Sequence, residues 1–283
     1  MDPEANFNSG KPFIGEVFYG GDRGTTGHYA DLGRKEIREW WGTQYFLFDL
    51  GLEMVWQDMT TPAIRDTRGD MRGFPFRLRI TDDFLSEGPR RLTEAIRVWN
   101  LYSYNLHKAT YHGLNYLRGR ENKRNFIVGR GCFTGMNRFA ALWTGDNASS
   151  WDFLRINVAQ VLALGISGVA ICGQDIGGFE REFDWQKWVD PELLMRWTMA
   201  GAFLPWFRNH YIRKGAKLFQ EPYAFQHLDL NNIFPPESRQ FYPMVLPVCR
   251  CAVTISNAAI VCCSSSMTLC SRTASMVCRF AGR

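Results

Sequence analysis

Apolar positions along the chain switch between a helical and a two-residue period. "RKEIREWWGTQYFLFDLG" (34–51) has helical spacing and stops at Gly51. "LEMVWQDM" (52–59) follows at once as a strand, with Met54, Trp56 and Asp58 on one face. "SEGPRRLTEAIRVWNLYSYNLHKATYHGLNYL" (86–117) is helical with few breakers after Pro89. "NFIVGRGCF" (125–133) and "AALWTGD" (140–146) read as strands. "NASSWDFLRINVAQVLALG" (147–165) opens on capping residues and continues as a helix to Gly165. "GVAICGQDIGGF" (168–179) is a fourth strand ending in glycines. Asp190-Pro191-Glu192 begins a helix that leads to "GAFLPWFRNH" (201–210).

Residues 1–33 and 60–85 read as loop, the first with short extended pieces. The order is helix, strand, helix, strand, strand, helix, strand, helix. Mostly alternating strands and helices predict an α/β fold with a parallel sheet or barrel. The connection 134–139 is too short for a normal crossover helix between parallel neighbours. No repeat occurs within 1–248.

Composition narrows the picture. With 283 residues, 46% of them hydrophobic and 14% aromatic, the chain is globular and forms one large or two small domains. A net charge of +5 without a dense Lys/Arg stripe argues against nucleic-acid binding. "VAQVLALGISGVAIC" (158–172) is short and interrupted by Gln160 and Ser167, so no transmembrane helix is expected. The first ten residues have neither a basic nor an apolar leader region; without a recognisable signal peptide, a cytoplasmic location is favoured. Arg68-Gly69-Asp70 matches an adhesion tripeptide, which arises often by chance. No oligomeric state is read from the sequence.

Cys132 and Cys172 lie in the body and read as buried thiols. Cys249, Cys251, Cys262, Cys263, Cys270 and Cys278 crowd the last 35 residues, without zinc spacing and with no histidine after His227. No acidic residue follows Glu237. With suitable codons, dropping two bases turns "SMTLCSRTASMVCRF" (266–280) into "DDALFTNGLNGLPI", which restores acids and removes cysteines. The expectation is a catalytic unit over 1–248 and, over 249–283, a tail produced by a reading-frame slip near Val248; a genuine cysteine module is the alternative.

Each strand ends in polar residues: Asp58, Arg130, Asp146 and Asp175. A buried carboxylate is costly unless it is paired or used. In a (β/α) barrel the carboxyl ends of the strands converge on the active-site mouth. Two carboxylates flanking a glycosidic bond, one as nucleophile and one as acid/base, make a retaining glycosidase. An adjacent arginine favours the ionised nucleophile. Trp56, Trp143 and Phe179 would offer rings for sugar C–H faces.

"MVWQDM", "GRGCFTGMNRFAALWTGDNASSW", "GQDIGGF" and "WFRNH", in this order, resemble glycoside hydrolase family 31, the α-glucosidase family. The resemblance covers roughly residues 28–248 and implies a partial TIM (β/α)8 barrel, about strands four to seven of eight. It implies Asp58 as nucleophile and Asp146 as general acid/base. Arg130 and His210 would hydrogen-bond the sugar in subsite −1. Trp56, Met59, Trp143 and Phe179 would line that subsite, with Asp175 as a supporting carboxylate. Phe179 as plain core and Asp175 as a turn-former are the structural alternatives. Strict alternation puts Trp143 on the face opposite Asp146 unless the strand ends at Gly145. Asn147 starts a sequon, "NAS", and its place beside Asp146 argues against glycosylation.

Family hydrolases read W-I-D-M-N-E at the nucleophile, whereas this chain reads "WQDMTTPA", which looks like the α-1,4-glucan lyases of the same family. That branch implies exo-cleavage of starch, glycogen or maltosaccharides to 1,5-anhydro-D-fructose, with no metal or organic cofactor. A retaining α-glucosidase is the alternative. Because half a barrel leaves strand edges and helix faces open, the chain by itself is expected to fold poorly and to be inactive.

Overall fold

The computed structural model describes residues 10–17, 25–60, 62–65, 78–82, 91–181, 190–212 and 220. The Arg68-Gly69-Asp70 triplet and the tail after Val248 lie outside them. Among the described residues no helix is long and apolar enough to cross a membrane. The chain divides into two compact units, residues 1–142 and 143–283.

The first unit begins with β1 (Gly15–Val17) and β2 (Thr25–Gly27), then α1 (Lys35–Gly42). The helix predicted over 34–51 is broken. Thr43 Oγ1 donates to Trp40 O at 2.7 Å and closes α1; a separate 3₁₀ turn, Phe46–Leu50, ends on Gly51 at φ 101°. The strand expected at 52–59 is β3 (Met54–Gln57). Short strands β4 (Ile64–Arg65), β5 (Arg79–Thr81) and β6 (Leu92–Glu94) follow. β5 and β6 pair antiparallel, so residues 92–94, predicted helical, are instead extended against β5. A 3₁₀ turn, Ala95–Val98, leads into α2 (Trp99–His112), which ends in a wider π turn, Gly113–Leu117. Next come β7 (Phe126–Gly129) and β8 (Ala141–Trp143).

β3, β7 and β8 form a parallel ladder, with Gln57 opposite Gly129 and Gly129 opposite Leu142. The awkward connection before β8 contains only a 3₁₀ turn, Met136–Arg138, yet β7 and β8 are parallel neighbours. A single tight turn, with Phe139 N bonded to Met136 O at 2.8 Å, replaces the crossover helix. Leu106, Ala109 and Leu114 on the helical side and Ile127 and Val128 on β7 supply buried apolar surface.

The second unit starts at Trp143, the last residue of β8, and continues through β9 (Ala148–Ser149) to α3 (Trp151–Ile166). Ser150 caps α3 by accepting from Phe153 N at 3.3 Å. The helix runs one residue past Gly165, its predicted stop; the left-handed turn comes later, at Gly168 with φ 93°. β10 (Cys172–Gly173) lies beside the end of β8, where Thr144 N donates to Gly173 O at 3.0 Å. β11 (Glu180–Arg181) pairs parallel with β9. α4 (Pro191–Gly201) starts where Asp190-Pro191 predicts: Asp190 Oδ1 accepts from Leu193 N at 2.8 Å. Its Leu193, Leu194 and Trp197 bury against Ile176, Phe153 and Phe207.

The strand order β3–β7–β8–β10, with α2 and α3 in the crossovers, is that of a partial (β/α) barrel. All four strands end in the polar segments singled out by sequence.

Candidate active site

In the first unit the site grows from the parallel register. Gln57 opposes Gly129, so the next residue of each strand, Asp58 and Arg130, leaves the sheet at the same end. Arg130 Nη1 donates to Asp58 Oδ1 at 3.1 Å. The same oxygen accepts from Met59 N at 2.7 Å. Met59 holds a φ of 55°, a left-handed conformation unusual for a side chain of its size. Such strain concentrates at functional sites, where surrounding contacts fix it. Strand alternation sends Trp56 and Asp58 to one face and Gln57 to the other, toward α2. Trp56 is half-buried, and Asp58 remains accessible to a ligand, with 43% of its side chain exposed.

In the second unit β8 ends at Trp143, which is 2% exposed, and the chain turns at Gly145 (φ 88°) to bring Asp146 to the surface. The strand ends at Trp143, so alternation no longer decides which way Trp143 and Asp146 face relative to one another. Asn147 anchors the turn: Thr144 Oγ1 donates to its Oδ1 at 2.8 Å, and its carbonyl accepts from Phe179 N at 2.7 Å. With Asn147 only 7% exposed, a glycan has little access to the sequon. Phe179 stacks on His210 with centroids 5.2 Å apart and planes at 29°.

Asp175 is fully buried, and its Oδ1 accepts from Arg208 Nη2 at 2.7 Å and Nε at 2.9 Å. Ile176 N donates to Arg208 O at 2.8 Å, so the arginine is fixed by backbone and side chain together. A substituent at Gly178, whose φ is 85°, would sit 2.4 Å from Ser149 Cα, so only glycine lets this loop lie against β9.

Residues 5–235 match the family described as "Glycosyl hydrolases family 31 TIM-barrel domain". The chain belongs to glycoside hydrolase family 31. Over 217 residues it is 36% identical to Alpha-glucosidase 2 of Bacillus thermoamyloliquefaciens, an alignment covering 76% of this chain and 24% of that protein. It is 33% identical to a probable glucan 1,3-alpha-glucosidase of Arabidopsis thaliana, over 72% of this chain and 20% of that one. Among solved structures, it is similar to the Gracilariopsis lemaneiformis alpha-1,4-glucan lyase in a covalent intermediate complex with 5-fluoro-idosyl-fluoride. That match has 28% identity and a TM-score of 0.63, over 71% of this chain and 22% of the lyase. A glucosidase II alpha subunit, alpha3-Glc2-bound, matches at 27% identity and TM-score 0.61, over 90% and 23%. The family 31 chain thus spans about a quarter or less of the length of these relatives.

Several residues of this family 31 domain escape a reading of the sequence. Arg208 stands in the recognised "WFRNH" block, but only the fold shows that it neutralises Asp175. Asn209, next to it, donates to Gln220 O at 2.9 Å. His107 carries no motif of its own, and Gln57, although it stands in the recognised "MVWQDM" block, gives no sign in the sequence of its contact with that histidine.

Proposed function

We propose that this domain carries the nucleophile and the acid/base of a retaining, exo-acting α-glucosidase. The observation that carries the reading is Asp58, exposed at the end of β3 and held by Arg130 from the neighbouring strand. In the first step the Asp146 carboxyl gives its proton to the glycosidic oxygen while the Asp58 carboxylate attacks C1. The leaving glucan departs as an alcohol and glucose stays as an ester on Asp58. In the second step Asp146, now a carboxylate, takes a proton from water, whose oxygen attacks C1 and releases Asp58. Two inversions return an α-configured glucose. Arg130 and His210 would bond sugar hydroxyls. Trp56, Met59, Trp143 and Phe179 would form the apolar surround, with Asp175 supporting from behind through Arg208.

Hydrolysis is preferred to elimination because the relatives at 33–36% identity are named as glucosidases. A second reading, α-1,4-glucan lyase, is favoured by "WQDM" at the nucleophile and by the similarity to the lyase structure. There the departing Asp58 carboxylate would remove the C2 proton, giving 1,5-anhydro-D-fructose.

Proton NMR of the first product formed from maltotriose by the full-length protein tests the assignment. α-Glucose supports hydrolysis with retention. Anhydrofructose transfers the assignment to the lyase, and β-glucose or an uncleaved substrate overturns the double displacement.

A further inference from the structure

Helix α2 presents Ser103, His107 and Thr110 on one buried face, at helical spacing. Each meets a group flanking Asp58 or Arg130. Ser103 Oγ donates to Thr60 O at 2.8 Å, and Thr60 Oγ1 accepts from Gly131 N at 2.8 Å. His107 Nε2 lies 3.1 Å from Gly131 O, and its Nδ1 lies 2.5 Å from the Gln57 side-chain amide. The same amide reaches Thr110 Oγ1 and, at 3.0 Å, Tyr45 OH. Glycines permit this approach: a Cβ at residue 129 would fall 1.9 Å from His107 Cε1, and one at residue 131 would fall 1.9 Å from Ser103 Oγ. The residues immediately before Asp58 and Arg130, Gln57 and Gly129, are thus both set against one imidazole.

We propose that His107, acting with Gln57, is a positioning residue for the Asp58–Arg130 pair, locking the carboxyl ends of β3 and β7 so that carboxylate and guanidinium emerge at one fixed separation. This rests on the reading of Asp58 as nucleophile.

The proton inventory supports a single ordered arrangement. With the Gln57 nitrogen on the two hydroxyls, Nδ1 would face an oxygen and Nε2 the Gly131 carbonyl, so His107 would need both ring protons. Burial pushes the His107 pKa down to about 4, against the hydrogen bond to Gly131, which raises it. At neutral pH the ring therefore has one proton. Turning the Gln57 amide over gives Nδ1 a donor and leaves the one ring proton on Nε2 for the Gly131 carbonyl, since amide oxygen and nitrogen exchange places without moving the side chain. Thr110 Oγ1 also lies 2.8 Å from Leu106 O; with its single proton turned to the Gln57 oxygen instead, a one-way chain of donors runs from Trp41 Nε1, 2.9 Å from Tyr45 OH, through Tyr45, Thr110, Gln57 and His107 to Gly131 O.

The test compares His107→Phe, His107→Gln and the double variant Gln57→Ile/His107→Phe in the full-length protein. H107F alone leaves Gln57 buried without its partner and loses both Tm and kcat. The double variant removes both polar groups and regains Tm, because no buried donor or acceptor of the pair is left unmet. If His107 positions the site, kcat for maltose in the double variant stays about 10- to 100-fold down, a range typical of losing an orienting partner. KM stays within about threefold, H107Q recovers part of kcat through a donor to Gly131 O, and crystals of the double variant show the Arg130–Asp58 contact broken. A double variant with wild-type kcat and an intact contact overturns the proposal. If the wild type cleaves no α-glucoside, the functional reading falls by itself and the crystallographic separation alone decides the positioning role.

Discussion

Arg130 Nη1 lies 3.1 Å from Asp58 Oδ1, one residue beyond the last register pair of two parallel strands. Both side chains are partly exposed, so the pair adds little to stability, within about 1 kcal/mol. In the proposed site its role is to place charge where a sugar would bind. Arg130→Ala is expected to lower kcat/KM for maltose about 10- to 150-fold, matching the ~1.5–3 kcal/mol of a hydrogen bond to a charged group. Arg130→Lys recovers only part of this, because an ammonium lacks the planar fork. Calorimetry should show nearly unchanged melting in both.

Asp58 and Asp146 are separated by leaving-group dependence. In Asp146→Ala, substrates whose leaving groups need no proton, such as dinitrophenyl α-glucoside, retain a fast first step. Maltose cleavage falls by on the order of 10²–10⁴, the usual contribution of a general acid. In Asp58→Ala both substrates fail, and mass spectrometry finds no glycosyl adduct after treatment with a fluorinated glycosyl fluoride. Equal losses for both substrates in Asp146→Ala would remove it from the acid/base role.

Two glycine substitutions should differ in sign. Gly129→Ala drives a methyl group into a histidine ring held at both nitrogens, 1.9 Å from Cε1, and the expected cost is about 1–3 kcal/mol or more. Gly165→Ala, near the end of α3 with open space around its Cα, should stabilise by about 0.5–1 kcal/mol. Paired thermal melts of the two variants check both directions.

Removing the cation from Asp175 tests a burial effect. Arg208→Met leaves a carboxylate in a fully buried position and should cost about 3–5 kcal/mol. Asp175→Asn/Arg208→Met, with no charge left to bury, should recover much of that loss. A double variant no more stable than the single would show that Arg208 acts through packing instead.

What the sequence discloses here is local. Asp190-Pro191 predicts the start of α4 because cap and helix are adjacent in the chain, and Asp58 is legible as the polar end of an apolar strand. β6 is missed because Leu92–Glu94 owes its extended form to β5 rather than to its own helical period. The short β7–β8 connection looks wrong by the usual length of crossovers, yet a single 3₁₀ turn suffices. Gln57 and His107 lie 50 residues apart, and on α2 the histidine reads as one more polar position. Only the close approach of the helix to Gly129 and Gly131 gives it a task. Asp175 was visible as chemistry, but its counter-ion, 33 residues on, was not.

The same histidine makes stability depend on pH in a defined window. Its folded pKa is about 4, below the usual 6.5, because burial disfavours the charged ring. Between these values the unfolded chain binds the proton that the folded chain refuses, so stability falls as pH drops from 6.5 toward 4. Above 6.5 the contribution is fully present, and below 4 it is lost. The shift corresponds to about 3 kcal/mol at its full extent. Carboxylates elsewhere titrate in both proteins, so the difference between wild type and His107→Gln isolates this group. Wild type should exceed H107Q in Tm most at pH 7, with the gap closing toward pH 4.5. A gap that stays constant across that range would mean that the imidazole titrates alike in the folded and unfolded chains, so that burial does not shift it.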